Sequence, residues 1–117
     1  MPVSRRNAVV QAIVHLDARG ALRVIKKSGA HIINGIDGTE GYTPLTAAAA
    51  RGDAKIVAAV LARGAIRGKK DALGLTAAHV VKRDLKYYRA GRCSAAPPQE
   101  VLECVLALER VESLLLA

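Results

Sequence analysis

Apolar positions along the chain fall in short blocks at helical spacing. Between Thr43 and Gly64 the order is Thr-Pro-Leu-Thr, four alanines, Arg-Gly-Asp, and then Ile56, Val57, Val60 and Leu61. Steps of 1, 3 and 1 put those last four on one face of a 3.6-residue turn. Thr43 is a good N-cap, and Pro44 fits the first helical position because its missing N–H would have no partner there. Gly52 stops the alanine helix cheaply by entering the left-handed region. Asp53 caps a second helix, and Gly64 ends it. The pattern predicts helix, tight turn, helix.

The opening then recurs. Gly74-Leu75-Thr76 repeats Gly41-Tyr42-Thr43 at an offset of 33. Upstream, Asn7 to Ala30 aligns at an offset of 35, with Ala12 on Ala47, Ile25 on Val60, Gly29 on Gly64 and Ala30 on Ala65. Helices are expected near 6–16 and 18–27, with Asp17 between them as a cap. The connector from His31 to Glu40 is longer by two residues. Basic residues at 5, 6, 19, 23, 26 and 27 suit a terminal unit that faces solvent. In the third unit a helix is expected from about Thr76 to Tyr88. A loop rich in Gly, Ser and Pro follows, and Pro98 then opens a helix to Leu116. Val101, Leu102, Val105, Leu106, Leu108, Val111, Leu114 and Leu115 would give that helix a broad apolar face.

The central unit resembles the ankyrin repeat family. The residues that carry the resemblance are Gly41, Thr43, Pro44, Leu45, Ala48, Ala49, Gly52, Ile56, Val57, Val60, Leu61, Gly64 and Ala65, followed by Asp71, Gly74, Thr76 and His79. It covers residues 38–84 and has departures. Thr46 stands where the family has His, Ile66-Arg67-Gly68 where Asp-Val-Asn is usual, and Ala77-Ala78 in place of Pro-Leu. The resemblance implies an all-α ankyrin-repeat solenoid of helix-turn-helix units with β-hairpin-like connectors. It would form a single domain over 1–117: a degenerate first repeat at 7–37, a central repeat at 38–70, and a third at 71–117 with a loop insertion and a C-terminal capping helix. Three units is the minimum stack. His79 would take the family's structural histidine role.

Composition sharpens this picture. The chain has 117 residues, 51 % hydrophobic but only 3 % aromatic, with three Tyr and neither Phe nor Trp. A core of Ala, Val, Leu and Ile must pack with its backbones close. The same count disfavours modules that stack bases on aromatic rings. The net charge is +8, and it is unevenly placed: residues 1–94 hold 17 of the 18 basic and 6 of the 10 acidic side chains, whereas 95–117 carry a surplus of three acids. A basic body with an acidic tail favours an acidic or phosphate-bearing partner. Two cysteines make no disulfide framework. Cys104 is expected in the core and Cys93 in a loop, both as free thiols in a reducing, intracellular, cytoplasmic setting. The longest apolar run, Ile56 to Ala62, is too short for a membrane span, and no signal peptide is expected.

Candidate chemistry is sparse. Gly35 to Gly41 and Gly64 to Lys70 match neither the dinucleotide nor the phosphate-loop spacing. No nucleophile motif is present, the two cysteines lack zinc spacing, and His15 and His31 have no partners at motif distance. No enzyme activity, cofactor, metal or small-molecule substrate is expected. The resemblance instead implies a concave surface of connector tips and first helices that binds another protein. By position that surface comprises Thr39, Glu40, Tyr42 and Arg51, then Lys70, Leu73, Leu75 and Arg83, with Tyr42, Leu73 and Leu75 as exposed apolar anchors. A second group, Arg67, Lys69, Lys70, Lys86, Arg89 and Arg92, is suited to phosphate or to an acidic partner, with Tyr87 and Tyr88 among them. The expected function is a protein-interaction module or adaptor. The alternative is a basic structural subunit of a ribonucleoprotein or other nucleic-acid assembly.

Overall fold

The computed structural model describes residues 6–90 and 98–116. Seven helices follow one another there: α1 (Ala8–His15), α2 (Ala18–Lys27), α3 (Ala30–Ile33), α4 (Pro44–Arg51), α5 (Ala54–Ala62), α6 (Ala77–Arg89) and α7 (Pro98–Leu116). Side-chain caps start most of them. The Asn7 side chain accepts from the N–H groups of Val9 and Val10 at 3.0 and 3.2 Å, and Asp17 from Gly20 at 2.8 Å. Thr43 and Thr46 form a reciprocal box: each hydroxyl accepts the other's backbone N–H, at 3.1 and 2.8 Å. Asp53 caps α5 through Lys55 and Ile56, and Thr76 caps α6 through His79. Each cap is worth about 1 kcal/mol. Gly52 ends α4 at φ 74°, where a side chain would be strained.

The helices pack in two rows. Within each hairpin α1 lies on α2, α4 on α5 and α6 on α7; between hairpins α1, α4 and α6 form one row and α2, α5 and α7 the other. The core runs through both rows. It includes Val9, Val10 and Ile13, then Ile25, Ile56, Val57 and Val60, then Val80, Val81 and Leu85, and finally Leu108, Val111 and Leu115. A fully buried Ile such as Ile13, Ile25 or Ile56 contributes about 1.5–3 kcal/mol. In the centre α4 is buried from Pro44 to Ala49. Alanine makes this possible, because a helix without bulk can be approached by its neighbours on every side.

Polar groups also tie hairpin to hairpin. Arg51, at the end of α4, donates from Nη1 to the carbonyls of Ile13 and Leu16, both at 2.8 Å. Arg63, just past α5, donates from Nε and Nη2 to the Ser28 carbonyl at 3.2 and 2.6 Å. Each guanidinium therefore satisfies carbonyls that a helix end of the preceding hairpin leaves open. Asn34, after α3, donates to the Ala30 and Gly64 carbonyls, both at 3.1 Å, and accepts from Ile66 N at 2.8 Å.

The connectors differ from the expected β-hairpin form, since no strand occurs among the described residues. Each is a turn built around a buried aspartate. Asp37 N donates to Tyr42 O and Gly41 N to Asp37 O, both at 2.8 Å; Asp71 N donates to Leu75 O at 2.9 Å and Gly74 N to Asp71 O at 3.0 Å. The turns meet where Ala72 N donates to Gly41 O at 2.9 Å. The carboxylates capture the N–H groups that a ladder would need, those of Thr39 and Glu40 at Asp37 and of Leu73 and Leu75 at Asp71.

The last helix also departs from expectation. Leu108, Val111 and Leu115 are buried, but Leu102 and Leu106 are 57 % and 47 % exposed, and Cys104 is exposed rather than in the core. The reason is position. A helix at the end of the row packs mainly on α5 and α6, so one side of it remains open to solvent.

Candidate interaction surface

The connector tips are exposed turns fixed by side-chain hydrogen bonds. At the centre of the first tip is Asp37, fully buried. Its carboxylate accepts from Asn7 N, from Gln11 Nε2 at 3.2 Å, from Thr39 N at 3.0 Å and from Glu40 N at 2.6 Å. Burial alone would raise the Asp37 pKa. The N–H groups of Glu40 and Asn7, the Gln11 amide and the Thr39 N–H together outweigh it, and the pKa lies below the ordinary aspartate value. Asn7 reaches the same connector from α1, donating from Nδ2 to Ile32 O at 2.8 Å and to Gly35 O at 3.1 Å.

The second tip is held the same way. Asp71 Oδ1 accepts from Leu73 N at 2.9 Å and from Leu75 N at 3.0 Å. The side chain of Leu73 is 77 % exposed on this fixed turn. Tyr42 and Leu75 are only half-buried, and both pack against the core, so each anchors its tip as well as facing outward. The Ala72–Gly41 hydrogen bond brings the tips together, and with them Thr39, Glu40, Tyr42, Leu73 and Leu75; Lys70 stands exposed beside Asp71.

Arg51 and Arg83 lie apart from the tips, each with partners of its own. A helix of eight residues, about 12 Å long, lies between the Thr43 cap and Arg51, and its middle is buried. The Arg51 guanidinium is occupied by the α1 carbonyls. It borders a shallow depression with Ile13, Val14, Leu16 and Ala50, where Val14 and Leu16 are 40 % and 45 % exposed. Arg83 pairs with Asp84 at 3.4 Å and lines a 310 Å³ depression with Lys86, Tyr87 and Ala90. Tyr87 meets Tyr88 edge-on, with ring centroids 5.6 Å apart, and Tyr88 packs on the core.

The basic group is likewise divided. Arg67, Lys69 and Lys70 are exposed on the α5–α6 connector. Lys86 and Arg89 lie well along α6, and Arg89 pairs with Glu109 at 3.4 Å. Arg92 and Cys93 lie outside the described residues. His15 and His31 are exposed, while His79 Nδ1 lies 3.1 Å from the Thr76 hydroxyl and completes the α6 cap. Among the described residues no three His, Cys, Asp or Glu side chains converge as metal ligands would, and no helix is long and apolar enough to cross a membrane.

Sequence reasoning missed Asn7, Asp37 and Asn34 as organising residues, and Val14 and Leu16 as exposed apolar groups. One signal was available. Asp37 and Asp71 precede Thr43 and Thr76 at nearly equal distances, which marks both as turn residues. Comparison of the chain with models of protein families, with curated proteins and with solved structures found no match.

Proposed function

We propose that the chain is an ankyrin-type stack of three helical hairpins that binds another protein through its connector tips and the adjoining ends of its first helices. The two-row packing and the recurring Asp, Gly and Thr of the turns support the stack. One observation carries the binding role: a leucine, Leu73, stands 77 % exposed on a turn whose backbone its own aspartate fixes. An apolar side chain so presented loses little freedom on binding, and the folded chain gains nothing from its exposure. Lys70, exposed beside Asp71, gives the tips a cationic edge suited to an acidic partner.

The test is affinity capture with the intact chain and with Leu73→Asp, at low and high salt and with nuclease. The substitution should leave the melting temperature unchanged and remove a protein that the parent chain retains at high salt. Identical captured proteins from both chains would reject the tip as the contact.

A further inference from the structure

Helix α2 carries Arg19, Arg23, Lys26 and Lys27, all exposed, and it contains no acidic residue. At about 100° per residue the four fall within an arc of about 100°. The other side of the helix holds Ala21 and Ile25, wholly buried, with Ala18, Leu22 and Val24 packed beside them. The ion pairs found among the described residues, Arg83–Asp84 and Arg89–Glu109, leave α2 out. The nearest acid in sequence, Asp17, accepts the N–H of Gly20 at 2.8 Å as the helix cap.

The stability of the helix does not account for this stripe. Lys26 and Lys27 lie in the last turn, where a cation complements the helix dipole, but Arg19 lies in the first turn and opposes it. Arg19 with Arg23, and Arg23 with Lys27, are like charges four residues apart, a spacing at which they repel. One neighbour extends the positive surface: Arg63 is held against the Ser28 carbonyl, one residue past Lys27.

We infer that α2 is a contact strip for the phosphate backbone of a polynucleotide. From Arg19 to Lys27 the helix axis rises about 12 Å. That distance corresponds to three to four steps of axial rise, at about 3.4 Å each, along one strand of a duplex. No large apolar side chain of α2 is exposed, so the strip lacks the anchor that a protein interface places at its centre. A phosphate backbone needs none, because release of its counterions drives the binding. The strip bears no aromatic ring for a base to stack on, which leaves the phosphates as the groups it contacts. It lies on the second row of helices and is independent of the tip surface.

The test is fluorescence anisotropy of the intact chain with a labelled oligouridylate and with a labelled DNA duplex, from about 50 to 200 mM salt. Four phosphate contacts require a log–log salt slope of about −2.8 or steeper on the single strand, a roughly fifty-fold loss of affinity over that range. The double change Arg19→Gln, Arg23→Gln should reduce the slope by about 1.4, and adding Lys26→Gln and Lys27→Gln by about 2.8 in all, with helical circular dichroism unchanged. The double variant decides the matter if the fourfold one fails to fold. No binding at the lowest salt, or an unaltered slope in the folded double variant, would overturn the assignment. So would polyglutamate competing as well as RNA, which would mark an acidic protein as the ligand.

Discussion

Replacing Asp37 by Asn tests the turn architecture directly. The carboxylate is fully buried, and each oxygen accepts twice: Oδ1 from Asn7 N and Gln11 Nε2, Oδ2 from Thr39 N and Glu40 N. An amide keeps one oxygen and turns an NH₂ group toward the other pair of donors. Two hydrogen bonds to a charged acceptor are then lost, and each is worth about 1.5–3 kcal/mol. Relaxation of the exposed Thr39–Glu40 turn recovers part of this, so Asp37→Asn should cost about 2–4 kcal/mol at pH 7. At roughly 4 °C per kcal/mol the melting temperature should fall by about 8–16 °C. The pH dependence supplies the control. The Asp37 pKa is lowered on folding, so its contribution is complete above the ordinary aspartate range, near 3.9, and is lost as the pH falls through the lower folded-state value. Thermal unfolding followed by circular dichroism at pH 7, and again well below that range, should show the two chains converging in acid. A gap that stays constant with pH, or a variant within about 0.5 kcal/mol of the parent at pH 7, would refute the carboxylate's role.

Two further changes probe the stack. Arg51→Ala removes both donors to the α1 carbonyls at Ile13 and Leu16 and should cost about 1–3 kcal/mol, with Arg51→Lys recovering only part, read as the urea midpoint. Ala48→Phe forces a ring into the enclosed face of α4 and should destabilise by about 1–3 kcal/mol or more, whereas Ala58→Phe, on the exposed side of α5, should be close to neutral in the same titration.

The sequence made the local parts of the fold legible. Thr43-Pro44, Gly52 and Asp53 each act within three or four residues of where they stand, and the helices they predict are present. Three features escaped for a physical reason. The single turn of α3 is too short to carry a period. Cys104, Leu102 and Leu106 looked like core because they continue an apolar face, but how much of that face is covered depends on where α7 sits in the row. Arg51 read as a free contact because its two carbonyl partners lie 35 and 38 residues back, a pairing that spacing along the chain does not reveal. The β-hairpin form of the connectors failed on the competition between an aspartate side chain and a backbone ladder for the same N–H groups.

The back-reaching arginines impose an order on the molecule's birth. Both guanidinium groups belong to the second pair of helices and all three recipient carbonyls to the first. During synthesis from the amino end, the opening pair emerges with its final carbonyls bare. It stays unfinished until residue 63 has left the ribosome. The first pair is thus completed by the second, and its closing hydrogen bonds wait on residues still to be synthesised.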